Sequence, residues 1–82
     1  MTAKIAPSAI ELSYARNICL ASKQIRELEK AGHHCEAQAA RSKRNNLRAQ
    51  MEHDGVKLPA KLEAIADDGL FGNFMRDYAH FL

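Results

Sequence analysis

Two long helical segments, residues 8–31 and 34–54, take up more than half of this 82-residue chain and meet at a single glycine, Gly32. They leave too little material for a sheet or an enclosed pocket, so the chain is expected to build a surface rather than a cavity. Ser8 and Glu11 have the spacing of a capping box, in which hydroxyl and carboxylate each satisfy an amide left unpaired at a helix start, and Pro7 stands just outside. Ile10, Tyr14, Ile18, Ala21, Ile25 and Leu28 then recur at spacings of three and four. At ~100° per residue they fall within ~80° of arc and predict a coiled-coil-like seam. Leu12, Ala15 and Cys19 form a second apolar row ~140–200° around the same helix, so its N-terminal half is expected to touch two neighbours.

The second segment turns Ala37, Ala40, Arg44, Leu47 and Met51 to one side, with small alanines near the hinge and Arg44 inside the seam. Asp54 and Gly55 supply its stop. Leu58 and Pro59 open a third helix over 59–67, since proline lacks an amide that would be unbonded at a helix start anyway. Leu62 and Ile65 continue the face of Leu58. Beyond Asp67, Asp68 and Gly69 the apolar set is Phe71, Phe74, Met75, Tyr78, Phe81 and Leu82, which on a continuous helix points ~180° away from Leu58, Leu62 and Ile65. A break at Asp68 and Gly69 is therefore expected, with an aspartate capping a last helix over 69–82. No alternating strand pattern of useful length occurs. The predicted architecture is one all-α domain over 1–82. It comprises a flexible segment 1–7, an antiparallel helical hairpin and one or two shorter C-terminal helices, a small three- or four-helix bundle.

Hydrophobic residues make up 46% of the chain, but much of that is alanine, and three Phe, two Tyr and no Trp leave few large apolar groups. The core should be thin. A ~24-residue helix is ~36 Å long, whereas a compact chain of this length has a radius of gyration of ~12 Å. Overhanging apolar rows favour self-association, and a homodimer is expected.

The net charge of +2 is too small to demand a nucleic-acid or membrane partner. Residues 1–14 contain no apolar run suited to a signal peptide or membrane span. With the hairpin closed at Gly32, Cys19 and Cys35 lie ~15 Å apart along the axis, beyond the ~7 Å that a disulfide tolerates. A cytoplasmic protein without an intramolecular bridge is the expectation.

Arg41, Lys43, Arg44 and Arg48 are the densest charge cluster, and the three arginines fall within ~60° of helix face. Such a stripe suits phosphates or an acidic partner, with Glu11, Glu27 and Glu29 of the first helix as competing partners. His33, His34 and Cys35 do not make a zinc site, because adjacent residues on a helix diverge by ~100° and a structural site needs four converging ligands. Asp67 and Asp68 suit a helix start better than paired acid and base chemistry. Ser8, Ser13 and Ser42 lie outside any nucleophile motif, and no phosphate loop or zinc-protease motif appears. No catalysis, cofactor or metal is expected.

The C-terminal stretch is the favoured partner-binding element. Phe71, Phe74, Met75, Tyr78 and Phe81 crowd large apolar groups onto one short helix, and aromatics and Met are enriched in interface cores. An equal reading of the same residues is a plug packing on Leu12, Ala15 and Cys19. The expected function is a non-catalytic protein–protein interaction module, such as an adaptor, chaperone-like binder or small inhibitor, with no membrane role. The alternative is a dimeric nucleic-acid-binding regulator that uses the basic face of the second helix.

Overall fold

The computed structural model describes residues 7–81 and is all-helical, with no strand among them. The segment expected to be flexible, 1–7, lies outside the described residues apart from Pro7, as does Leu82. Four α-helices run in order, α1 (Ala9–Lys30), α2 (His34–His53), α3 (Ala60–Asp68) and α4 (Phe71–Tyr78), and a short 3-10 turn, Ala79–Phe81, follows.

Local chemistry sets the boundaries. Ser8 caps α1 as a full capping box: its hydroxyl accepts from the Glu11 amide at 3.2 Å, and the Glu11 carboxylate accepts from the Ser8 amide at 3.0 Å. The first three helices end alike. Gly32, Gly55 and Gly69 all have positive φ, and the residue after each donates back to a carbonyl of the last turn, His33 to Leu28, Val56 to Met51 and Leu70 to Ile65. This is a Schellman stop, which satisfies carbonyls that a helix end would leave unpaired.

Gly69 has a second reason to be glycine. A Cβ there would lie 2.6 Å from the Lys23 amide nitrogen and 2.9 Å from the Ser22 carbonyl carbon, so the end of α3 rests directly on the backbone of α1. Arg26, one turn further along α1, completes the junction by donating to the carbonyls of Asp68 at 2.8 Å and Gly69 at 3.2 Å.

The expected break between the last two helices is present at Gly69, but no aspartate caps α4. Asp68 is the final residue of α3, and Leu70 precedes α4 without a side-chain cap. The stop consumes Gly69 and Leu70, which leaves Asp67 on α3 and free to pair with Arg48.

Packing centres on α1, which touches α2, α3 and α4. Its row of Leu12, Ala15 and Cys19 meets Leu62, Ile65, Ala66 and Phe74, while Ile18 and Met51 join the same core from the α2 side. The Cys19 thiol donates to the Ile65 carbonyl at 3.7 Å, and burial pushes its pKa up against the opposing pull of Arg26 and Lys23. Both cysteines are free, Cys19 buried and Cys35 exposed.

On α2, Ala37, Ala40 and Met51 are buried and Arg44 and Leu47 half-buried, as the sequence pattern predicts. Contacts tie α2 to α1 at both ends: Arg41 pairs with Glu29 near the turn, and the Tyr14 hydroxyl donates to Asp54 far from it. The predicted seam on α1 needs one correction. Ile18, Ala21 and Ile25 are buried within it, but Ile10 is 51% exposed. Because α2 ends at His53 and its cap Asp54 reaches only Tyr14, the first turn of α1 projects beyond its neighbour. The described residues measure 48 × 28 × 19 Å with a radius of gyration of 13.4 Å, longer than a compact chain of this size.

Candidate functional site

The large apolar residues of the C-terminal stretch divide into three groups. Phe74 is fully buried, so it belongs to the core and not to a surface that a partner can reach, which corrects its expected role as a binding anchor. Its ring meets the α1 and α3 row because Gly69 turns the chain and brings that face of α4 inward. Phe71 and Tyr78 are half-buried and flank it, with ring centroids 6.0 and 5.7 Å from that of Phe74. Met75 and Phe81 remain 38% and 41% exposed.

The rings form a chain from the core to the surface. Tyr78 lies 5.7 Å from Phe74, Phe81 lies 6.3 Å from Tyr78, and the His80 ring stands 4.0 Å from Phe81. The Phe74–Tyr78 and Tyr78–Phe81 separations are those at which aromatic pairs attract beyond their burial alone. Phe81 is therefore an exposed group held from beneath by rings that lead to a fixed core residue. Charges border the patch: Asp77 pairs with Arg76 at 3.2 Å and Lys61 at 3.7 Å, and the Arg76 guanidinium foremost keeps the Asp77 carboxyl below its ordinary pKa. Lys23 lies 6.0 Å from the Phe71 ring, at the outer limit of a cation–π contact.

The basic cluster is split by the fold. Arg41 pairs with Glu29, as the competing reading anticipated, and Arg48 pairs with Asp67 of α3, a partner not foreseen. Arg44 is half-buried and donates to Asn45 at 3.4 Å. Lys43 projects on the other flank of α2, where it lines grooves with Leu20, Gln24 and Leu28 of α1. The four cations thus do not present one stripe.

A shallow cleft of about 350 Å³ at the α2–α3 corner gathers Arg48, Glu52, Lys57 and Glu63 with Met51 and Val56, a lining of mixed charge. Among the described residues no three His, Cys, Asp or Glu side chains come together as a metal site. No helix among them is long and apolar enough to cross a membrane. Compared with protein-family models, curated proteins and solved structures, the chain finds no match in any of the three.

Proposed function

We propose that this chain is a non-catalytic protein–protein interaction module whose partner docks on the C-terminal aromatic edge. One observation carries the proposal: Met75 and Phe81 are exposed large apolar groups, and Phe81 is braced through Tyr78 onto buried Phe74. A braced side chain loses little conformational freedom on binding, which favours its use as an anchor. Phe71 and Tyr78 supply the half-buried rim. Asp77, Arg76 and Lys61 form a charged border, as interface rims do.

In this proposal α1 and α2 act as an antiparallel hairpin that displays the edge, and two copies associate. The protein works in the cytoplasm without cofactor or metal, in keeping with its two free cysteines. The nucleic-acid alternative ranks second because, of the four cations clustered on α2, Arg41 and Arg48 already hold carboxylates and Lys43 and Arg44 alone lack an ion pair among the described residues.

The test uses a photo-crosslinking amino acid at position 75 in the full chain, expressed in its native host, with the same group at exposed Lys57 as control. A single protein captured at 75, absent at 57 and lost on Phe81→Asp with helicity unchanged, is the expected result. Equal capture at both positions removes the docking edge. Saturable binding of duplex DNA or RNA at low salt, weakened by Lys43→Ala and Arg44→Ala, favours the alternative.

A further inference from the structure

On the flank of α1 and α2 away from α3, a groove of about 380 Å³ is lined by Gln24, Leu28, Glu36, Ala39, Ala40 and Lys43. A second groove continues from it, sharing Gln24 and Lys43 and adding Leu20 and Leu47. Leu20 is 37% exposed, and Leu28 and Leu47 are half-buried. Neither Glu36 nor Lys43 has an ion-pair partner among the described residues.

The charges in the first groove have an order that matters. Glu36 and Lys43 stand seven residues apart on α2, almost two full turns, and both line the same groove. The midpoint between them falls between Ala39 and Ala40, each charge being ~5 Å from it along the axis. A two-fold rotation about that midpoint exchanges the two positions. We infer that this groove is where two copies of the chain associate, antiparallel along α2, with each Glu36 against the partner's Lys43. Leu28 of each copy flanks the two-fold axis, and the alanines let the helices approach.

The occupant follows from the charge pattern. An isologous interface must be complementary to itself, and one acid and one base placed evenly about an axis meet that condition. An unrelated acidic or basic partner satisfies only one of the two. The apolar strip from Leu28 to Leu47 is short, so the interface lies below the ~800 Å² per partner of a standard complex and the dimer is reversible. It leaves the C-terminal edge open. This assignment rests on the proposed dimer and names its face.

Sedimentation equilibrium of the full chain over ~10–500 µM brackets the association expected of so small an interface. Glu36→Lys and Lys43→Glu, taken singly, each turn two attractions into two repulsions and should weaken association ~10-fold or more. The double variant E36K/K43E restores the pairing with reversed sign and should recover most of the affinity. Ala39→Arg, at an exposed position, should abolish association while circular dichroism still reports the full helix content. A wild type that stays monomeric overturns both the dimer and this face. Association that survives either single reversal, or that the double variant fails to restore, overturns the face alone; loss of that association on Phe81→Asp then assigns it to the C-terminal edge.

Discussion

The two ends of α1 are held by different means. Its N-terminal half carries Leu12, Ala15, Ile18 and Cys19 into one continuous core with Leu62, Ile65, Phe74 and Met51, so large apolar groups from three other helices converge there. Its C-terminal half buries Ala21 and Ile25 beside Ala37 and Ala40 of α2, outside that core, with the Arg41–Glu29 pair on the flank. Small side chains remove little surface from water, and exposed ion pairs contribute little. Cohesion is therefore concentrated away from the turn, and the grooves that line the other half follow from its thin packing.

Truncating the core is the severest way to test this contrast. Phe74→Ala should cost ~3–5 kcal/mol, much of the total stability of a domain this small. Urea denaturation measures it. A loss under ~1 kcal/mol would mean that Phe74 is not the plug its burial indicates.

The next effect separates two glycines that share a conformation and differ in surroundings. Gly69→Ala meets both a positive φ and the α1 backbone, whereas Gly32→Ala at the turn has nothing within 4 Å of the new methyl. Gly32→Ala should cost ~1–2 kcal/mol from backbone strain alone, and Gly69→Ala ~2–4 kcal/mol because α3 must also move off α1. Equal losses in thermal denaturation would deny the close approach of the two helices.

Smaller still are the ion pairs. Arg41→Ala and Arg48→Ala should each change stability by less than ~1 kcal/mol, since both partners of each pair are more than a third exposed. A larger loss at Arg41 would show that charge, rather than alanine packing, holds the turn end together.

The smallest effect concerns the far end of the α1–α2 contact. The Tyr14 hydroxyl donates to Asp54, and that bond is the main cause that lowers the Asp54 pKa and raises that of Tyr14. A depressed carboxylate stabilises the fold above its unfolded pKa of ~3.9 and loses that contribution as pH falls through the lower folded value. The raised phenol contributes below its unfolded pKa of ~10 and loses that contribution as pH rises through the folded one. The melting-temperature gap between wild type and Tyr14→Phe should accordingly be open at neutral pH and close in strong acid. A gap independent of pH would assign Tyr14 to packing alone.

Features coded by neighbouring residues were legible from the chain itself. The capping box at Ser8 and Glu11, the glycine stops and the inward row of α2 involve residues within about a turn of one another, or one helix period. Legibility failed where distant segments compete. Ile10 obeys the same spacing as Ile18, yet α2 ends too early to cover it. Asp67 and Asp68 suit a helix start, yet the backbone stop at Gly69 takes that place and Arg48 takes Asp67. Of the candidate site, the composition of the aromatic edge was visible, but not that Phe74 is inside while Met75 and Phe81 remain outside.

The amino-acid sequence by itself determined where the first helix begins and where the first three helices stop, because capping, periodicity and the left-handed conformation of glycine act within a few residues. Only the tertiary structure decided which apolar row became core, which arginines found carboxylates and which aromatics stayed in contact with water. Those outcomes depend on groups as far apart as Cys19 and Ile65 or Arg26 and Gly69 arriving at one place. Side-chain burial and charge pairing are settled by that meeting, which no local pattern contains.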